Sequence, residues 1–326
     1  MAFGMEFIRG AHNLRLRHRG CVATLGNFDG VHRGHQAVLE RLADKARTLN
    51  LPTTVVLFEP QPREYFQGQD PVPARLTRLR EKMLALRTLP VDRVLCLRFD
   101  QRLAALSPDE FIERILVKGL GVRYIVVGED FRFGSRRAGD VSLLRQRGPQ
   151  HGFETASAHT EMDEGERISS TRVRAALVRD DLPQAERLLG RPYSMCGRVA
   201  HGEKIGRTLG IPTANVHLHR QVSPLHGIFV VEVVGLESKP VAGVASLGNR
   251  PAVNGQRTLL EVHLFDFDRD IYGHYIQVNF LNKLRDEKNF ASLDELKLAI
   301  QADIQQARTW FVEKKHRGVA HAVGLS

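Results

Sequence analysis

Between Cys21 and about Arg179, short β-branched runs alternate with helical stretches, and no other property of the chain restricts its architecture as much. VATLGNF leads into HQAVLERLADKARTLN, and TTVVLF leads through a proline-containing loop into ARLTRLREKMLALRTL. RVLCLRF precedes SPDEFIERILV, and YIVVG precedes a glycine-containing loop and DVSLLRQRG. Strands that each return through a helix pair in parallel, so the pattern predicts an α/β domain with helices on both faces of a parallel sheet. Ligands then bind beyond the carboxyl ends of the strands. Ser107-Pro-Asp-Glu110 has the residues of a capping box with proline at the first helical position, which fixes one helix start.

The pattern changes near Leu188. From Met195 onward CGRVAH, TANVHL, GIFVVEVVG, PVAGVASLG, TLLEVHLFDF and YIQVNFLNKL follow one another without a long helical period between them. Closely spaced strands of this kind form an antiparallel barrel or a sandwich. A last helix is opened by a second capping box, Ser292-Leu-Asp-Glu295, and its stripe of Leu296, Ile300, Ile304 and Phe311 is expected to pack on the strands. The tail KHRGVAHAVGLS has no apolar period and is expected to fray. Two domains are expected, residues 1–185 and residues 186–326. The stretch from Asp181 to Tyr193 reads either as a rigid helix or as a hinge.

A chain of 326 residues with 42% hydrophobic residues has the composition of a globular protein. Its formal net charge of +10 admits either a nucleic-acid partner or anionic small molecules such as nucleotides. Lys and Arg are spread along the chain without a basic tail, which favours phosphate pockets; neither a nucleic-acid nor a membrane partner is expected. Cys21, Cys96 and Cys196 form no C-x-x-C pair, which argues against a thiolate zinc site and fits a reducing compartment. MAFGMEFIRGAHNLRLRH lacks the apolar core of a secretory signal, and no window approaches the roughly 20 apolar residues of a membrane span. A cytoplasmic location is the expectation.

The first chemistry-bearing stretch is GNFDGVHRGH, residues 26–35. It leaves a strand and enters a helix, where free N–H groups and a partial positive charge make an anion site. Gly26 and Gly30 let the backbone approach a phosphate, and Gly34 admits the chain into the helix. His32 and His35 come within reach of the same anion and are suited to donate hydrogen bonds to a phosphoryl group as charge builds on it. Taken alone, the stretch is equally a turn with two solvent-facing histidines. ISSTRVR, residues 168–174, opens another helix with the hydroxyls of Ser169, Ser170 and Thr171 and the fork of Arg172. Taken alone, it is an N-cap followed by an exposed arginine. In VVGEDFRFG, residues 126–134, Phe131 and Phe133 either frame a flat ring or belong to the core.

GNFDGVHRGH joined to ISSTRVR resembles the H-x-G-H nucleotidylyltransferases, and within them the FMN adenylyltransferase branch. The resemblance implies a Rossmann-like domain in which the FMN phosphate attacks the α-phosphate of ATP. It implies that His32, His35 and Asn27 hold the reacting phosphates, with Gly26, Phe28, Asp29, Gly30 and Gly34 shaping the ATP site. Ser169, Thr171 and Arg172 would hold the departing pyrophosphate, with Ser170 in the same phosphate site. Asp130 would meet the flavin or a metal, and Phe131 the flavin. FEPQPREYF, from Phe58, is similar to the family's F-x-P-H-P segment, with Gln61 where many members have histidine.

In the second half, GRVAHGEKIGRTLGIPTANV, residues 197–216, contains no G-x-x-x-x-G-K-[ST] and is not a Walker-type ATPase loop. Its glycines with Lys204 and Arg207 suit a phosphate flap, and Thr213 with Asn215 offers hard oxygens to Mg²⁺; a plain glycine-rich hairpin is the equal alternative. LLEVHLFDFD puts Glu261, His263 and Phe265 on one face of a strand. Most glutamates there face water, but one in a pocket can take a proton from an alcohol that attacks a phosphoryl group.

The P-T-A-N strand, the E-V-H-L-F-D-F strand and KLRDEKNFASLDELKLAIQADI resemble the riboflavin kinase module, an antiparallel β-barrel with a terminal helix. The resemblance implies that Glu261 deprotonates the ribityl 5′-hydroxyl, which attacks the γ-phosphate of ATP. Thr213 and Asn215 would position Mg²⁺, Gly206 and Arg207 would bind ATP within a closing flap, and Arg285 and Phe290 would lie near the flavin. Arg250-Pro-Ala252 departs from the family, whose members usually show threonine after the proline. Together the halves resemble the bacterial bifunctional riboflavin kinase/FAD synthetase family, which implies ATP as co-substrate of both steps and FMN and FAD as products.

Overall fold

A computed structural model describes residues 4–67, 73–158, 160–201, 210–220, 222–252 and 255–323, excluding the side chains of residues 249–257 and 317–323. The chain divides into two compact units, Met1–Pro73 with Thr77–Ser170, and Ala74–Leu76 with Thr171–Ser326.

In the first unit β1 (Glu6–Arg9), β2 (Cys21–Leu25), β3 (Thr53–Glu59), β4 (Arg93–Arg98), β5 (Val122–Val127) and β6 (Glu154–Ser157) form one parallel sheet in the order β1-β4-β3-β2-β5-β6. Alternate residues of the inner strands feed two different core layers. Cys21, Ala23, Leu25, Val56, Phe58, Leu95 and Leu97 enter one, while Val22, Val55, Leu57 and Val94 enter the other. Burial on both faces is why these strands read as unbroken apolar runs. Helix α1 (Arg33–Leu49) sends Leu39, Leu42 and Ala46 into the second layer.

The helix that begins over Pro108–Phe111 and continues over Ile112–Leu120 (α3, after α2 at Leu79–Leu86) fills the first layer. Its capping box forms as expected: Glu110 N donates to Ser107 Oγ (3.2 Å) and Ser107 N donates to Glu110 Oε2 (3.0 Å). These bonds from Ser107 hold the Glu110 carboxyl below the usual glutamate range. Helix α4 (Val141–His151) is capped by Asp140, whose side chain accepts from Leu143 N. The chain runs from β2 outward to β3 and β4 and then returns to the other side of β2 as β5. The loops after β2 and β5 therefore diverge at the switch point, where parallel sheets open a crevice.

Helix α2 starts later than the apolar period of ARLTRLREKMLALRTL suggests. Residues 74–76 lie outside the helix, and their carbonyls are taken within the second unit: Arg174 Nε donates to Ala74 O (2.7 Å), Arg220 Nη1 to Arg75 O (2.5 Å) and Tyr193 Oη to Leu76 O (3.2 Å). Arg220 is itself buried.

In the second unit, α5 (Ser170–Val178, with Ser170 itself counted in the first unit) and α6 (Leu182–Leu189) precede six strands. Asp181 caps α6 by accepting from Gln184 N, and Leu182, Ala185, Leu188 and Leu189 are buried, so the stretch after Asp181 is a packed helix. Strands β7 (Tyr193–Ala200), β8 (Ala214–His217), β9 (Gly227–Val234), β10 (Val241–Ala252), β11 (Gly255–Leu264) and β12 (Tyr275–Arg285) close into an antiparallel barrel in the order β7-β8-β11-β10-β9-β12. Phe229 and Phe280 meet edge to face at 5.3 Å, both fully buried.

The other face of β9 and β10, with Ile228, Val230 and Val244, packs against Ile304, Ala307 and Phe311 of α7 (Leu293–Val323). Leu296 and Ile300, expected in the same stripe, instead line a cavity described below. The helix also continues through most of the expected frayed tail, to Val323. Adding a residue to an existing helix costs little compared with nucleating one, so the backbone carries on after the apolar stripe has ended.

Candidate active site

The first unit places GNFDGVHRGH at the carboxyl end of β2, at the switch point. Phe28 (φ 47°) and Val31 (φ 45°) hold left-handed backbone without being glycine, a strained state for a β-branched residue that surrounding bonds must maintain. Those bonds come from two distant segments. The Asp29 carboxylate, almost fully buried, accepts from Thr77 N (2.9 Å) and Thr77 Oγ1 (3.2 Å), and Thr77 Oγ1 accepts in turn from Gly30 N (2.9 Å). Ser170 Oγ donates to Asp29 O at 2.8 Å across 141 residues of sequence. Gly34 eases the same meeting: a Cβ there would crowd it, lying 3.2 Å from His32 Nδ1 and 3.4 Å from Ile168 O. The two motifs thus come together at Gly34 and Asp29.

His32 is the N-cap of α1, with Nδ1 accepting from His35 N at 3.3 Å. A neutral imidazole that accepts at Nδ1 carries its proton at Nε2, which makes Nε2 a donor. The His35 ring stacks on His32 (centroids 3.7 Å apart, 18° between planes), and Phe28 lies 4.7 Å from His35. Two imidazoles are therefore ordered beside the N–H groups of the first helical turn. Ser169 and Ser170 share this unit, and Thr171 and Arg172 continue along α5 on the side counted with the second unit.

A cavity of about 640 Å³ in the first unit is walled by Phe58, Phe66, Phe99, Phe111 and Phe133 and edged by Arg63, Arg132, Arg136 and Arg137. Aromatic walls with several guanidinium groups suit a flat ring that carries an anionic arm. Asp130 is exposed and pairs with Arg167 (3.2 Å), and Phe131 stacks on Phe133 (5.7 Å). The sequence pointed to Phe131 and Phe133 and, in FEPQPREYF, to the segment that supplies Phe58, Arg63 and Phe66, but it gave no sign of Phe99, Phe111, Arg136 or Arg137 as part of this cavity. Gln61 is buried, and its Nε2 has no hydrogen-bond partner among the described residues.

In the second unit a cavity of about 540 Å³ is lined by Thr213, Glu261, His263, Arg285 and Phe290, with Leu296 and Ile300 of α7. Asn215 stands directly opposite Glu261 in the β8–β11 ladder, and Ser246 of β10 stands opposite Glu261 on the other side. Four of the expected residues are thus assembled around one space, and a fifth is their ladder neighbour. His263 Nδ1 lies 2.9 Å from Pro212 O and ties down the residue before Thr213. The Arg285 guanidinium is held by two bonds to the buried Asp303 of α7 (2.8 and 2.7 Å) and lies 5.8 Å from the centre of the Phe290 ring.

A second carboxylate, Glu287, also lines the cavity and accepts from Ser246 Oγ (3.2 Å); nothing in its local sequence marked it. Next along the strand, Lys283 bridges Asp180 (2.6 Å) and Asp286 (2.5 Å). Burial pulls its ammonium toward neutrality, but the bonds to both carboxylates outweigh this and hold it above the usual lysine range. Thr213 also lines a neighbouring cavity of about 210 Å³ with Phe267, Arg269 and Tyr272. Lys204, Gly206 and Arg207 lie outside the described residues, as do the side chains of Arg250 and Ala252.

Among the described residues no group of three or more His, Cys, Asp and Glu is placed to hold a metal ion. None of their helices is long and apolar enough to cross a membrane.

Comparison with known proteins gives a consistent result. A family model described as FAD synthetase matches residues 14–172, and one described as riboflavin kinase matches residues 189–311. A bifunctional riboflavin kinase/FMN adenylyltransferase of Escherichia coli (strain K12) is 54% identical over 308 residues, covering 94% of this chain and 98% of that protein. One of Haemophilus influenzae is 48% identical over 307 residues, covering 94% and 99%. A crystal structure described as a macrolide-efflux protein from Streptococcus pneumoniae superposes with a TM-score of 0.80 at 31% identity, covering 94% of this chain and 100% of that one.

Proposed function

Because the chain belongs to the family of bifunctional riboflavin kinase/FMN adenylyltransferases, we propose which of its residues carry each of the two reactions. The enzyme phosphorylates riboflavin to FMN with ATP in its C-terminal module and adenylylates FMN to FAD with a second ATP in its N-terminal module, releasing pyrophosphate. We set the functional boundary at residues 185 and 186, between the two family matches.

Adenylyl transfer is assigned to the loop after β2. The observation that carries this reading is the Ser170–Asp29 bond, which joins the two motifs beside the N-terminus of α1 at the switch point. The second pKa of a phosphate monoester is about 6, so the FMN phosphate is largely dianionic at neutral pH and attacks the α-phosphorus without a base. The new P–O bond forms as the bond to the β-phosphate bridge breaks. The protein aligns the reactants and stabilises the charge through His32 Nε2, His35, Asn27 and the first-turn N–H groups. Ser169, Thr171 and Arg172 receive the pyrophosphate. FMN takes the aromatic cavity, its phosphate toward the arginine edge, with Phe131 backing Phe133 and Asp130 at the rim.

Phosphorylation is assigned to the barrel. The observation that carries it is that Thr213 lines both cavities, so a phosphoryl group passes between them beside it. Riboflavin occupies the larger cavity with Arg285 and Phe290, and the nucleotide occupies the smaller one, with Gly206 and Arg207 assigned to ATP by the family resemblance. Glu261 takes the proton of the ribityl hydroxyl as its oxygen bonds to the γ-phosphorus and ADP departs.

The donor set suits Mg²⁺ because the Thr213 hydroxyl and the Asn215 amide are hard oxygens next to a carboxylate in the ladder, and this ion keeps few protein ligands beside phosphate and water. Thr213 and Asn215 would hold it, and its charge would offset that of the ATP phosphates. We place the enzyme in the cytoplasm, with small-molecule partners only, a reading that its three free cysteines support.

A chromatographic time course of the purified chain with riboflavin, ATP and Mg²⁺ tests the whole assignment. FMN is expected to appear first and then give way to FAD, and excess EDTA is expected to stop FMN formation until Mg²⁺ is restored. Bound flavin without turnover would point to a flavin-binding module instead.

The flavin-side role of Arg285 has its own test. Asp303→Asn weakens a buried charge-assisted pair, and such bonds contribute about 1.5–3 kcal/mol. The KM for riboflavin is expected to rise by about tenfold or more. The KM for ATP and the conversion of supplied FMN to FAD stay unchanged in steady-state assays.

A further inference from the structure

Lys82 of α2 is completely buried, and among the described residues no other lysine or arginine is buried as deeply. An ammonium is kept in such a place only where acceptors surround it, since its desolvation is otherwise prohibitive. One acceptor is Asn27 O, at 2.5 Å from Lys82 Nζ. Lys82 is 55 residues away in sequence, and this bond reaches into the loop after β2 rather than to its own helix.

We propose that Lys82 is a positioning residue for adenylyl transfer: by gripping Asn27 O it turns the Asn27–Phe28 peptide so that the Phe28 N–H is presented to the nucleotide phosphates. The inference rests on the assignment of that loop to adenylyl transfer.

The C=O and N–H of a trans peptide point in opposite directions. Fixing the carbonyl on Lys82 therefore fixes the Phe28 N–H on the far side of the peptide plane. The next peptide but one is treated in the same way, with Asp29 O on Ser170 Oγ and Gly30 N on Thr77 Oγ1. Two peptides, one before Phe28 and one after Asp29, are thus locked by distant side chains, and the left-handed backbone of Phe28 between them would relax without those bonds. An N–H oriented before the reaction begins stabilises charge on a phosphoryl group without reorganisation. Because it serves charge that develops in the transition state, its loss falls on kcat more than on KM.

Lys82→Met keeps an unbranched side chain one atom shorter and removes the ammonium. With FMN supplied directly, its kcat for FAD formation is expected to fall about 100-fold, as for loss of one oriented donor. The KM for FMN stays within about twofold, since the aromatic cavity is untouched. Riboflavin phosphorylation by the same molecules reports that the preparation is folded and active. His32→Ala is assayed in parallel. If it too leaves FAD formation intact, the loop assignment itself is wrong. If His32→Ala abolishes FAD formation while Lys82→Met stays within about threefold of the parent, only the role of Lys82 falls.

Lys82→Gln, which keeps a donor in the pocket, covers the case of misfolding. A loss of activity that follows the unfolded fraction of the first unit in both variants, read by circular dichroism, would make Lys82 a folding element and overturn the proposal. A smaller loss in Lys82→Gln than in Lys82→Met, at equal folded fraction, supports it.

Discussion

Replacing Glu261 by alanine is expected to lower the kcat of riboflavin phosphorylation by about 10³-fold, within the range for a lost general base. A primary alcohol is a poor nucleophile until its proton is removed, and Glu261 is the carboxylate that the ladders place opposite Asn215 and Ser246, in the cavity we assign to riboflavin. The KM for ATP should move little, because the carboxylate serves the hydroxyl and not the nucleotide. Glu261→Gln separates chemistry from packing, since it fills the same space without accepting a proton. Both variants are expected to convert supplied FMN to FAD at the parental rate, which certifies the fold within one assay. If either forms FMN within about tenfold of the parent, the base has been misassigned and Glu287, which lines the same cavity, is the next residue to replace.

The second large effect belongs to His32. His32→Ala is expected to reduce FAD formation from FMN by about 10²–10³-fold while FMN accumulates from riboflavin at an undiminished rate. The same substitution removes the N-cap of α1, which costs about 1 kcal/mol of stability. The two consequences can be separated with His32→Asn. Asparagine is a good N-cap, so the melting temperature should return toward that of the parent. The Nε2 donor is still missing, so the activity should not return. Recovery of activity together with stability would mean that His32 serves the helix alone.

The inner strands were legible because burial on both faces makes them continuous apolar runs, and the barrel strands were legible by their close succession. The edge strands were not. β1 offers one buried residue, Ile8, in Glu6–Arg9, and β6 is Glu154–Ser157, with no apolar run at all. Both are held by parallel hydrogen bonding to a strand that sequence pattern cannot name in advance. The delayed start of α2 is a similar case, since three donors from far along the chain take the carbonyls of the residues before it.

The candidate sites divide in a similar way. His32, His35, Thr213, Asn215 and Glu261 stand in short stretches whose spacing alone carries chemistry. Thr77 and Lys82 act on the first of those stretches from about fifty residues away, in a segment that reads as an ordinary amphipathic helix. The aromatic residues around the first unit's cavity likewise gather from β3, α3 and several loops, which no window along the sequence can show together.

The membership of Ala74–Leu76 in the second unit bears on how such a protein can be taken apart or inherited. Two activities in tandem suggest two genes joined end to end, separable again by one cut at the junction. Here a cut at any single peptide leaves one half incomplete. A fragment starting at Thr171 loses the carbonyls that receive Arg174, Tyr193 and the buried Arg220. Losing the partner of a buried donor costs about 1–3 kcal/mol each, a sizeable part of the stability of a small domain. A freestanding kinase derived from this chain would therefore need substitutions at those three positions, and so would the product of a natural fission of the gene.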